Sequence, residues 1–436
     1  MMNILGQRLL LNEWRLFYPQ IDLKAARRVP AMIERDDDQW FCQRCGSLSV
    51  EKLPADFYYC PYCIDLGRIS SQEFLYYFLP NKQNSREVTL EWSGKLSPAQ
   101  AEISKKLVVD QQPAKRFLLW AVTGAGKTEL LFALIKNTLE NGERIAVASP
   151  RVDVCNEIYL RFCQAFPKEA INLFHGQTRK DQGDSFSVCT IHQLFRYFAY
   201  FDVIIIDEVD AFPYAGDPFL AQAVKRALAV DGRLVYLSAT PSKEIKQVVE
   251  HCYHLPARYH RRPLPVPRLL FSWNLERQLK VNKLPKKILD RLFSLLEETN
   301  LLLFCPNIFL IEQLGNYLKT LMSEVSLTTV FSQDQERLVK VENMRKGKYQ
   351  LLLTTTILER GVTFENISVV VLQASHRIFT KAALVQIAGR VDRKGETSCG
   401  EVVFVTSEMT YSIKQAIKEI KQNNQRALAE GLIDAL

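Results

Sequence analysis

From about Leu118 the chain alternates short, nearly unbroken apolar runs with amphipathic stretches. Phe117–Val122, Arg144–Ser149, Val188–Ile191, Val203–Ile206 and Leu234–Leu237 predict strands, while Glu129–Glu140 and Ala221–Leu228 predict helices. Continuous rather than alternating hydrophobicity means that each strand is buried on both faces, as in a parallel sheet covered by helices. The pattern breaks at HLPARYHRRPLPVPR, where Pro256, Pro263, Pro265 and Pro267 disfavour helix and central strand and predict a linker or extended crossing. It then restarts. Leu301–Phe304, Leu351–Thr354, Val369–Leu372 and Val402–Val405 predict a second sheet, with helices such as Ile308–Met322 between its strands. The expected architecture is α/β, with two parallel-sheet lobes at 95–250 and 271–436 joined by a Pro-rich linker at 251–270. Residues 1–94 differ in kind, holding two close cysteine pairs and the aromatic run FLYYF at 74–78.

Composition narrows the picture. A chain of 436 residues accommodates about three domains. Its 47% hydrophobic and 24% charged residues are ordinary for a folded protein. A net charge of +8 suits a polyanionic partner, though an unremarkable basic enzyme fits it equally. No apolar run approaches the roughly 20 residues needed to span a bilayer. The start, MMNILGQRLLLNEW, lacks the layout of a secretion signal, so a cytoplasmic protein is expected. Of ten cysteines, the six outside the two pairs are expected to be buried thiols in a reducing compartment.

The candidate chemistry begins at AVTGAGKT, from Ala121 to Thr128, where a predicted strand meets a predicted helix. Backbone N–H groups of such a loop wrap phosphates, and a helix N-terminus adds partial positive charge. Thr123, Gly124, Ala125 and Gly126 would form the cradle. Lys127 would reach the β- and γ-phosphates, and Thr128 would help to hold Mg²⁺. The strict pattern opens with glycine, whereas this chain has Ala121. Eighty residues on, VIII ends in DEVD: Asp207 can hold Mg²⁺ and Glu208 can orient and deprotonate a water. QIAGRVDR sets Arg390 and Arg393 three residues apart, with Gln386 one turn earlier, as cations for a γ-phosphate. An arginine pair alone is more often a solvated face; a phosphate loop upstream favours the functional reading.

In this order the motifs resemble those of superfamily 2 helicases and translocases, over roughly residues 91–407. The resemblance implies two RecA-like lobes that close on ATP and grip a nucleic-acid strand. LSPAQ looks like an adenine-reading motif with Gln100 as reader, and AVTGAGKT like motif I. ASPRVDV resembles motif Ia, Phe174–His175–Gly176 motif Ib, DEVD motif II and SATP motif III. FCPN resembles motif IV, TTTILERGVTF motif V and QIAGRVDR motif VI. By the same resemblance Asp210, Ser238 and Thr240 would couple hydrolysis to movement. Pro150, Arg151, Gly176, Thr190 and His192 in the first lobe would contact the strand, with Thr354, Thr355 and Gly361 as counterparts in the second. Hydroxyls and N–H groups of this kind hold phosphates without reading bases. Two positions depart from the pattern: Thr363 stands where many relatives have a carboxylate, and Asp392 where glycine is common.

Cys42-x2-Cys45 and Cys60-x2-Cys63 are separated by fourteen residues, a spacing that lets four thiolates surround Zn²⁺ as a closed structural site. Redox pairs or disulfides are the other readings. With CQRCGS, YYCPYCIDLGR, LEWSGKLSPAQ, DEVDAFPY and AALVQIAGRVDR, the chain resembles the ComFA family of late-competence proteins from about Phe41 to Val405. That resemblance implies a small zinc-ribbon-like module before the two lobes. It also implies ATP, Mg²⁺ and Zn²⁺ as cofactors and import of single-stranded DNA as the task. Implied partners are a ComFC-type phosphoribosyltransferase-like protein and the DNA-uptake channel, which would hold the protein at the inner face of the membrane; homo-oligomerisation stays open. The replication-restart helicase PriA competes less well, because its zinc cysteines interrupt the second lobe. A general DNA or RNA helicase would show robust duplex unwinding. An ATP-gated scaffold would keep its function after Glu208→Gln.

Overall fold

A computed structural model describes residues 4–36, 38–54, 56–81, 83–110, 115–176, 178–392 and 400–434. The chain divides into two units, Met1–Trp120 with Thr128–Tyr253, and Ala121–Lys127 with His254–Leu436. The first sheet contains β1 (Arg116–Ala121), β2 (Ile145–Ser149), β3 (Ile171–His175), β4 (Thr178–Lys180), β5 (Phe186–Thr190), β6 (Phe201–Ile206), β7 (Leu228–Ser238) and β8 (His251–Leu255), in the order β4-β3-β5-β2-β6-β7-β1-β8. Strands β3, β5, β2, β6, β7 and β1 are parallel, and β4 returns antiparallel on β3. Every residue of β2, β3 and β5 is buried, the two-sided covering that their apolar runs predict. Parallel strands bring the residues that follow them to one edge of the sheet, and that edge carries the candidate motifs.

The second sheet is formed by β9 (Arg268–Phe271), β10 (Asn300–Phe304), β11 (Leu327–Val330), β12 (Leu351–Thr354), β13 (Ile367–Val371) and β14 (Val402–Thr406), in the order β9-β14-β13-β10-β12-β11. All its pairings are parallel. Each lobe is thus RecA-like, a parallel sheet with helices between its strands. The segment 251–270 differs from the linker expected there: it begins in β8 and ends in β9, both at sheet edges. The prolines lie between these strands, where no ladder N–H is needed.

Among the described residues, the N-terminal region forms three small antiparallel sheets. Strands Trp40–Cys42 and Phe57–Cys60 each end at the first cysteine of a knuckle. Trp40 and Tyr58 stack at 5.1 Å between ring centroids, so Tyr58 belongs to the module's core, whereas Tyr62 is exposed and leans on Phe219. The module is bolted to the first lobe by arginines. Arg226 Nε donates to the Arg44 carbonyl at 2.9 Å and its Nη2 to that of Gln43, in the first knuckle. Arg196 Nη2 donates to the Leu66 carbonyl at 2.9 Å, just past the second. Of the scattered cysteines, Cys155, Cys189 and Cys305 are buried as expected, but Cys163 is half-buried and Cys252 exposed, the latter on edge strand β8. Cys399 lies outside the described residues.

Candidate functional site

The phosphate-loop candidate leaves the end of β1. Ala121, which breaks the strict pattern, is the last residue of that strand and fully buried, so this position does not require glycine's freedom. Gly124 and Gly126 do require it, with φ of 80° and 70°. Lys127 opens the helix Lys127–Leu130, and its Nζ donates to the Ala121 carbonyl at 3.1 Å. Thr123, Gly126 and Thr128 are half-buried, and Ala125 is buried. Gln100, the expected adenine reader, is buried near the start of the helix Pro98–Val109. Its Oε1 accepts from Ser97 N–H at 2.7 Å, closing a capping box with the Ser97 hydroxyl.

Asp207 and Glu208 follow β6. Asp207 Oδ1 accepts from Glu208 N–H at 2.9 Å, and Glu208 is held at φ 57°, a left-handed conformation that side chains normally avoid. Backbone conformations of this kind persist at functional positions because neighbouring structure holds them. Here the flanking anchors are Asp207 N–H on the Ala148 carbonyl at 2.8 Å and Val209 N–H on that of Leu237 at 3.1 Å. Asp210 accepts from the Ser238 hydroxyl at 2.6 Å and the Thr240 hydroxyl at 2.5 Å. The three residues expected to act in coupling are thus directly bonded, because β6 and β7 are parallel neighbours ending at one edge.

That edge also gathers the first-lobe strand-contact candidates. Pro150 and Arg151 follow β2, Gly176 follows β3, and Thr190 and His192 end and follow β5. Gly176 is exposed, Arg151 and His192 are half-buried, and Thr190 is buried. Burial lowers the pKa of His192, while Asp217 and Asp65 oppose the shift. His175 bonds Asn156 Oδ1 at 3.0 Å. In the second unit, Thr354 ends β12 fully buried, while Thr355 and Gly361 are partly accessible.

Gln386 lies in the last turn of the helix Lys381–Ala388 and Arg390 two residues past its end, both buried. Arg390 Nε donates to the Glu359 carbonyl at 3.1 Å. A Cβ at Gly389 would lie 2.0 Å from Thr123 Oγ1 and 2.7 Å from its Cβ, so a larger residue there would collide with the Thr123 side chain. Arg393 lies outside the described residues. Asp392 has φ 51°, which explains why glycine suits its position. Sequence reasoning missed Arg258, which reads as one charge in a basic stretch yet is 2% exposed and bonded to this same turn. It also missed Glu13, a buried carboxylate shared by Arg44 and Arg196.

The four paired cysteines are all buried, with their sulfurs within 4.8 Å of one another. Cys42 and Cys63 sulfurs are 3.8 Å apart, and those of Cys45 and Cys60 3.5 Å. A tetrahedron with Zn–S bonds of about 2.3 Å has S···S edges of roughly 3.8 Å, so the cluster fits that ion. Gly46 N–H donates to the Cys42 carbonyl at 2.9 Å, forming the knuckle turn.

Family models match the chain twice: "Type III restriction enzyme, res subunit" over residues 93–243, and "Helicase conserved C-terminal domain" over residues 283–395. Competence protein ComFA of Streptococcus pneumoniae is 38% identical over 92% of this chain and 94% of its own length. Competence protein ComFA of Bacillus subtilis is 39% identical over 88% of this chain and 86% of its own. Among solved structures, the Mycobacterium smegmatis helicase Lhr bound to single-stranded DNA and AMP-PNP superposes with a TM-score of 0.56 at 17% identity. It covers 78% of this chain and 49% of that one.

Proposed function

The chain belongs to the ComFA family of competence proteins, an ATP-hydrolysing helicase type, and we propose that it drives single-stranded DNA into the cytoplasm during natural transformation. In this reading Lys127 and the N–H groups from Thr123 to Thr128 hold the ATP phosphates, with Gln100 at the adenine. Asp207 and Thr128 hold Mg²⁺, and Glu208 activates the attacking water. Gln386, Arg390 and Arg393 stabilise charge developing on the γ-phosphate. Asp210, Ser238 and Thr240 carry the consequence of hydrolysis to Pro150, Arg151, Gly176, Thr190 and His192, with Thr354, Thr355 and Gly361 gripping from the second lobe.

The observation that carries the reading is the Asp210 pair of hydrogen bonds. They tie the segment after β6, with its carboxylates, to the segment after β7, at the sheet edge where the strand-contact candidates also emerge. A chemical change at Asp207 and Glu208 therefore has a short, bonded route to that edge. The cysteine cluster holds zinc as a structural ion, all four ligands being sulfur and buried.

No helix among the described residues is long and apolar enough to cross a membrane. A cytoplasmic protein docked on the uptake channel, with a ComFC-type partner, is the family expectation carried into this proposal. The test is translocation itself. With ATP, the protein should displace streptavidin from end-biotinylated single-stranded DNA, and Glu208→Gln should bind the strand and ATP without displacing it. A Glu208→Gln variant that displaces streptavidin normally refutes the motor reading.

A further inference from the structure

Arg258 spreads its guanidinium over the turn that ends the helix Lys381–Ala388. Its Nη2 donates to the Gly389 carbonyl at 3.2 Å, and its Nη1 to those of Val391 at 2.9 Å and Asp392 at 2.8 Å. Carbonyls at the end of a helix concentrate partial negative charge, which a cation stabilises. Arg390 lies between these acceptors along the chain, with its own Nε on the Glu359 carbonyl. The turn that carries Arg390 is therefore gripped on both sides of it.

Asp392 occupies a left-handed conformation that glycine would adopt without penalty. Arg258 bonds its carbonyl, and Arg262 Nη1 lies 3.5 Å from its carboxylate. Two arginines from one short segment thus hold a backbone conformation that the residue's Cβ opposes. The same segment reaches the phosphate loop, where Tyr259 N–H donates to the Gly124 carbonyl at 3.1 Å.

We infer that Arg258 is a positioning residue for ATP hydrolysis: it fixes the turn Gly389–Asp392 so that Arg390 meets the γ-phosphate in one orientation, and it supplies the order that a glycine at position 392 would make unnecessary. The inference rests on Arg390 acting on the γ-phosphate. Lysine cannot replace Arg258, because a single ammonium does not span three carbonyls as a planar fork does.

The experiment is steady-state ATPase of the full chain with saturating single-stranded DNA, with thermal melting of each variant as a folding control. Misplacing a reacting group by an ångström costs about 100-fold in rate, so Arg258→Ala should lower kcat about 100-fold and change the KM for ATP by less than about threefold. Adding Asp392→Gly to Arg258→Ala should restore about tenfold, and adding Arg258→Ala to Arg390→Ala should cost no more than about threefold further. Where Arg258→Ala does not fold, Arg258→Lys carries the same comparisons. A loss confined to KM, no recovery with Asp392→Gly, or the full extra loss in the Arg390→Ala background overturns the inference. A crippled Arg390→Ala beside an Arg258→Ala with normal turnover overturns this inference alone. Normal turnover in Arg390→Ala by itself overturns the finger reading and this inference with it.

Discussion

Glu13 offers the sharpest energetic prediction. Its carboxylate pairs with Arg44, between the cysteines of the first knuckle, and with Arg196, at the end of the segment holding His192. It also accepts from Leu10 N–H at 2.9 Å. The three side chains are 7%, 0% and 8% exposed, so Glu13→Gln keeps the volume but strands two guanidinium groups away from water. Removing one partner of a buried ion pair costs about 3–5 kcal/mol. For a unit of about 250 residues, that lowers the melting temperature by roughly 10 °C. Adding Arg44→Met removes one stranded cation and should recover part of the loss. Burial pushes the Glu13 carboxyl up, but Arg44, Arg196 and the Leu10 N–H outweigh it and hold it below the usual carboxylate range. A depressed folded pKa contributes stability that is present above the unfolded value, about 4.3, and lost as pH falls through the folded one. The gap between wild type and Glu13→Gln, measured by denaturant melts, should therefore be full at neutral pH and shrink below about pH 4. A loss under about 1 kcal/mol, or a gap unchanged at the acid limit of folding, refutes the reasoning.

Three other outcomes follow from the same geometry. Lys127→Ala should cut ATP turnover by at least about 10³-fold, and near-normal turnover would remove the phosphate-loop assignment. Elemental analysis should return one zinc per chain, lost in Cys60→Ser, whereas a metal-free chain with native melting behaviour excludes the zinc site. Asp210→Asn weakens two charge-assisted bonds and should reduce stimulation by single-stranded DNA about tenfold while keeping nucleotide affinity within about twofold. Intact stimulation there would dissociate these bonds from coupling.

Central strands were legible in the sequence because burial on both faces writes an unbroken apolar run, as in Val203–Ile206 or Val369–Val371. Edge strands were not. Thr178–Lys180, Arg268–Phe271 and Leu327–Val330 lie at the margins of their sheets; the first has no apolar residue and the other two mix polar with apolar, so nothing in their composition separates them from loop. The phosphate loop, DEVD and the cysteine pairs could be read because their chemistry demands particular residue types at fixed spacing. Ala121 looked like a defect in the first of these, but it closes a strand where the left-handed conformation is not needed. Glu13 and Arg258 carry no such signal. In sequence a buried charge is indistinguishable from a solvated one, and only the partners brought in from remote segments reveal it.

Turnover measured against single-stranded DNA, duplex DNA and RNA at matched ionic strength decides whether this ATPase moves along single-stranded DNA. Single-stranded DNA should stimulate turnover most, and its half-saturating concentration should rise steeply with salt as phosphate contacts are screened. Equal turnover with no nucleic acid, or stimulation by RNA alone, would show that the ATPase is not a single-stranded DNA motor.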